Sequence, residues 1–214
     1  MDSPHAYNRV AGHSVERLAA LSDGIFGVGM TLLVLDLRVP ESELVHDERG
    51  LAYALLAILP QGIMYLMSFA TLGIFWVGQQ TQLNHLDRSD RHLTWIHIAF
   101  LFGVTLLPFS TKLLAEYYHY RTALAAYWLN ILFLGSMLYA SWGYAFRNGL
   151  LKADVGAGTA SAVCRRIIWA QSLYALGAAL CLVDTRLSIA AIVAVQLYYV
   201  AAPGYRRAVG SPNP

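Results

Sequence analysis

Between Leu18 and Leu35 the chain carries a single ionisable side chain, Asp23. The stretch around it, Arg17 to Leu37, reads RLAALSDGIFGVGMTLLVLDL. It is long enough to cross a bilayer as an α-helix, which takes roughly 20 residues. Its polar content is unusual for a helix facing lipid. Arg17, Ser22, Asp23 and Thr31 all lie on it, with Gly24, Gly27 and Gly29 between them. A carboxylate inside a span costs about 2.5–3.5 kcal/mol on insertion scales, so it faces protein or water and has a partner. This helix is therefore expected to be buried, close-packed and functional, its glycines letting neighbouring helices approach.

The rest of the chain repeats the apolar theme. Of its 214 residues, 57% are hydrophobic and 13% charged, against about a quarter charged in a soluble domain. Mean hydropathy is +0.48. The expected fold class is an all-α membrane protein, one transmembrane domain over residues 1–214. Its six spans fall at about 17–37, 51–78, 93–114, 123–146, 166–183 and 187–202. Ser14 is placed as the N-cap of the first helix. Pro60 is expected to kink the second span and Pro108 to break the third. Residues 147–163 read as a Gly/Ala/Ser loop, and Pro203–Gly204 as the end of the last span.

Six spans put both termini on one side. That side carries Arg9, Arg17, Arg88, Arg91, Arg147, Lys152, Arg165, Arg166, Arg206 and Arg207. The other side carries Arg38, Arg49, Lys112, Arg121 and Arg186. Ten basic residues against five place both termini in the cytoplasm of a multi-pass cell-membrane protein.

Several functions are excluded. A net charge of +2 with no basic block argues against nucleic-acid binding. Cys164 and Cys181 form no CxxC pair and read as small apolar residues, so no metal or other cofactor is expected. His85, His92 and His97 lack HxxxH or HExxH spacing, which speaks against a membrane enzyme. No GxxxxGK[ST] motif is present to drive transport with ATP.

Helical geometry divides the first span into two faces. With Val28 as the origin, Leu32 falls at about +40° and Leu35 at about −20°. Thr31 falls at about −60° and Gly24 at about −40°. Arg17 also falls at about −20°. Ser22, at about +120°, and Asp23, at about −140°, lie on the back. One face is thus an apolar ladder with a hydroxyl; the other can bind neighbouring helices at the end where the span begins. On spacing alone, a packing seam explains Val28, Leu32 and Leu35 as simply as a pore does. Asp23 can likewise be a structural pair or the carrier site of a proton- or ion-coupled transporter.

Three stretches narrow this choice. RLAALSD followed by GIFGVGMTLLVLDL, SFATLGIFWVGQQ in the second span, and LTWIHIAFLFGVTLLPFSTKLLAEY in the third together resemble the endolysosomal potassium channel family. That family comprises transmembrane protein 175 and its single-repeat prokaryotic relatives. The resemblance covers about residues 14–118 and implies a homotetramer of six-span subunits around a pore lined by the first helix. It implies apolar constrictions at Val28, Leu32 and Leu35, with Thr31 the polar contributor. It implies passage of potassium and other monovalent cations, with potassium preferred. Leu21, Gln79, Gln80 and His97 depart from the family pattern, which often has Phe, a His pair and Asn there. A polar network of Arg17, Ser22, Asp23, Trp76 and His97 is expected near the cytoplasmic end. Asp36 and the acidic loop after it are expected to concentrate cations at the outer mouth.

Overall fold

The computed structural model describes residues 14–40 and 45–201. Arg9, Arg206, Arg207 and the stop at Pro203–Gly204 lie outside this range, as do Glu41 and Glu43 of the acidic loop. Seven α-helices occur among the described residues, in the order α1 (Val15–Val34), α2 (Glu48–Ala57), α3 (Leu59–Asn84), α4 (Arg91–Glu116), α5 (Arg121–Arg147), α6 (Ala157–Ala179) and α7 (Thr185–Ala201). A short 3₁₀ turn, Leu180–Leu182, joins α6 to α7. Four helices, α1, α3, α4 and α5, are long and apolar enough to cross a membrane, and α7 is a shorter apolar helix.

Local chemistry sets the helix ends. Ser14 caps α1 by accepting the amide N–H of Arg17 at 3.2 Å. Asp47 caps α2 and Asp90 caps α4, the latter through Leu93 N at 2.8 Å. Each of these side chains satisfies one of the four N–H groups that a helix start leaves without an internal partner.

Three expectations need correction. The second span is not one kinked helix. It divides at Ile58 into α2 and α3, and Pro60 sits in the first turn of α3, where its missing N–H costs nothing. None of α2 is buried. By contrast, α4 runs unbroken through Pro108. Asn130 of α5 explains why. With its amide oriented to suit its neighbours, Asn130 donates to Gly103 O at 3.1 Å and accepts from Leu107 N at 3.2 Å and Ser110 Oγ at 3.2 Å. Backbone groups beside the proline are thus satisfied by a side chain from the next helix, as membrane interiors require. Lastly, α6 begins at Ala157, inside the stretch taken for a loop. Residues 157–165 are weakly apolar but Ala-rich, and Ala is the strongest helix former. Trp142 of α5 holds this extension by donating to Ala160 O at 3.0 Å.

The bundle packs α4 against α5, α5 against α6, and α1 into the angle between α3 and α4. Phe26 and Leu33 of α1 enter a core with Leu72, Phe75, Phe100 and Val104. The tightest glycine is Gly135 of α5, where an added Cβ would run into the Gln171 side chain of α6; at Gly103 of α4 it would lie 2.8 Å from Phe133 and 2.9 Å from Leu134. Gly24 and Gly27 of α1 have nothing within that reach and Gly29 meets Leu72 and Val104 only at 3.7 Å, so the tight glycine contacts fall at α4–α5 and α5–α6 instead. Inside the core, a hydroxyl chain ties four helices together. Thr111 donates to Ser68 at 2.6 Å, Thr71 lies 3.0 Å from the Tyr127 hydroxyl, and Gln196 of α7 donates to Thr71 at 2.6 Å. Where α1 begins, the loops after α3 and α5 zip together through Asp87 N to Leu150 O and Lys152 N to His85 O, both at 2.9 Å.

A polar-anchored helix with an uncovered stripe

α1 has a fully packed face and an open one. Leu18, Ser22, Phe26, Gly29 and Leu33 are buried, recurring every three or four residues. On the other side Val28 is 58% exposed, Leu32 44% and Leu35 74%, with Thr31 exposed beside them. The face therefore follows the rotation predicted from the sequence. A shallow apolar cleft of about 380 Å³ runs along it, floored by Gly24, Val28 and Leu32 and closed on one side by Thr105 of α4.

The polar residues of α1 are held mainly by α3. The Asp23 carboxylate accepts the Trp76 indole N–H at 2.8 Å and the Gln80 amide at 2.6 Å. Ser22 donates to Leu18 O at 2.8 Å and accepts from Gln79 Nε2 at 2.9 Å. Trp76, Gln79 and Gln80 stand at i, i+3 and i+4, so they share one helix face. The structure thus brings Ser22, Asp23 and Trp76 together. It also adds both glutamines, the departures from the family pattern, as amide donors to that cluster. Their spacing from Trp76 was the available signal.

His97 and Arg17 lie elsewhere. His97 is buried in α4 with its Nε2 3.3 Å from Ser141 Oγ of α5, so it joins α4 to α5. Arg17 is exposed, and its side chain has no partner among the described residues. Thr31 donates its hydroxyl proton to Val28 O at 2.8 Å, which leaves the oxygen lone pairs directed away from that bond. Asp36 is paired with Lys112 of α4 at 3.2 Å, so its charge at the end of the stripe is largely offset. No group of three or more potential metal ligands occurs among the described residues.

Together these features define a helical membrane protein whose first helix is anchored on one face by polar bonds and left uncovered on the other. The sequence profile described as endosomal/lysosomal potassium channel TMEM175 matches residues 17–108. Over 188 residues the chain is 33% identical to a potassium channel of Streptomyces collinus, covering 86% of this chain and 90% of that one. It is 29% identical over 187 residues to a potassium channel of Chamaesiphon minutus, covering 86% and 92%. Its fold superposes with a TM-score of 0.74 on the crystal structure of a lysosomal potassium-selective channel TMEM175 homolog from Chamaesiphon minutus. That match is at 27% identity and covers 87% of this chain and 96% of the other. The chain belongs to the TMEM175 family, a family of ion channels and not of enzymes.

Proposed function

We propose that this protein is a potassium-preferring monovalent cation channel that conducts passively across a cell membrane. Four copies assemble with α1 of each lining a central axis. Val28, Leu32 and Leu35 form apolar rings there, and Thr31 offers its hydroxyl oxygen to passing ions. An apolar ring has no ligands to replace ion hydration, so such a neck gates or filters by dewetting. Each subunit crosses six times, with α2 and α3 serving one crossing and both termini cytoplasmic. α7, with 17 residues, spans ~25 Å, close to the hydrocarbon thickness.

One observation carries the reading. In the single chain the open side of α1 displays not only apolar groups but also Arg17 and Thr31, and Asp23, bonded to α3 at the edge of the packed face, is exposed as well. Charged groups on a span do not face lipid. That side of α1 therefore meets protein or water, and copies arranged around an axis supply both. The named relatives and the matched structure, all described as potassium channels, support the same assignment. A channel is favoured over a coupled transporter for the same reason.

The test is potassium flux into liposomes holding matched amounts of tetramer. Leu35→Asn should raise flux by wetting the neck, Val28→Trp should plug it, and Phe26→Leu on the buried face should do neither. Potassium should pass more readily than sodium, with no dependence on an imposed proton gradient. Equal flux in wild type, Leu35→Asn and Val28→Trp would leave the stripe as a packing seam.

A further inference from the structure

A basic cleft of about 340 Å³ lies at the end of the bundle where α5 and α7 begin, between the α4–α5 turn and the turn into α7. It does not involve α1. Arg121 and Arg186 both line it. The Arg121 guanidinium donates one N–H to Leu182 O at 3.0 Å, which fixes it over the cleft with further donors to spare. Arg186 bonds through its backbone N–H to the Asp184 carboxylate at 2.6 Å, and its guanidinium has no partner among the described residues. The one acid of the cleft is thus engaged with the first turn of α7, and two guanidinium groups outweigh it.

Apolar side chains lie beside it. Val183, which lines the cleft, is 77% exposed, and Leu182, at 69%, and Leu187, nearby in the chain, are exposed as well. A site for free phosphate has no use for them. A phospholipid does: guanidinium forks suit its phosphate, and the exposed leucines and valine suit the start of its acyl chains. We propose that this cleft holds the headgroup of an anionic phospholipid, with Arg121 and Arg186 as its ligands.

The test uses purified full-length protein, stripped of lipid in detergent and examined by native mass spectrometry. Phosphatidylglycerol and phosphatidylcholine are added at equal concentration. Phosphatidylglycerol should be retained preferentially. Arg186→Gln should weaken that retention about fivefold and the double variant Arg121→Gln/Arg186→Gln further, leaving phosphatidylcholine binding unchanged. Arg121→Gln also removes the bond to Leu182, so helicity is checked, and the Arg186→Gln result stands by itself. A third arm adds inorganic phosphate at millimolar concentration, which should not displace the lipid. Equal retention of the two lipids, or of phosphatidylglycerol by wild type and Arg186→Gln, would overturn the proposal. Displacement by inorganic phosphate would make the cleft a free-anion site and overturn it equally.

Discussion

Asn130 does at a single position what a whole helix turn normally does for itself. Beside Pro108 it bonds both Gly103 O and Leu107 N, two backbone groups that stand at i and i+4 in α4. Asn130→Ala should remove both bonds, at about 0.5–1.5 kcal/mol for each hydrogen bond lost. In a Pro108→Ala background the helix can close that turn itself, so the penalty should shrink. Thermal unfolding of the four proteins in one detergent forms the double-mutant cycle. An identical penalty in both backgrounds would separate Asn130 from the proline. Thr31 poses a second question at this scale. Its proton is committed to Val28 O, so only its lone pairs can serve a cation. Thr31→Val keeps the shape and removes the oxygen. The potassium-to-sodium permeability ratio from reversal potentials should fall in Thr31→Val and hold in Thr31→Ser.

At the scale of the element, one face of α1 is packed along its length and the other is open. At its start Asp23 is held by two neutral donors from α3, Trp76 and Gln80. Hydrogen bonds to a charged group are worth roughly 1.5–3 kcal/mol. Trp76→Phe removes one of them, so the fraction surviving as tetramer in gel filtration should drop while ion preference is kept. A normal tetramer with altered preference would instead put Asp23 in the conduction path. At the far end Lys112 offsets Asp36 next to Leu35. Lys112→Gln should free the carboxylate and raise potassium conductance at low ionic strength. The gain should vanish near 1 M salt, where the screening length is about 3 Å. It should also be absent from the Lys112→Gln/Asp36→Asn double variant. A gain that persists at high salt would point to a changed neck rather than a changed surface charge.

For the whole molecule the decisive quantities are copy number and orientation. The open side of α1 asks for neighbours, and four copies around an axis would bury Arg17 and Asp23 at an interface away from lipid. Light scattering of the detergent-solubilised protein, with bound detergent subtracted, should return four times the chain mass of 23.6 kDa. A monomer that still conducts would remove the axis and the rings with it. Reporter fusions after Pro214 and within residues 41–48 should read opposite sides of the membrane, with the C-terminus inside.

Features set by neighbours along the chain were legible in the sequence. Apolar length marks α1, α3, α4 and α5 as spans, because burying a backbone in lipid demands an unbroken helix. The helical rotation of about 100° per residue separates Val28, Leu32 and Leu35 from Phe26, which is buried. The Ser14 cap needed only the local order of residues. What escaped the sequence were pairings across helices. Gln79 and Gln80 bond Ser22 and Asp23, His97 turns to Ser141, Asn130 serves the turn beside Pro108, and Gly103 and Gly135 take the close contacts foreseen for the glycines of α1. Each depends on how far one helix is rotated and slid against another. Those settings come from the packing of many side chains at once, so no single stretch encodes them. Only the assembled bundle decides which polar groups meet.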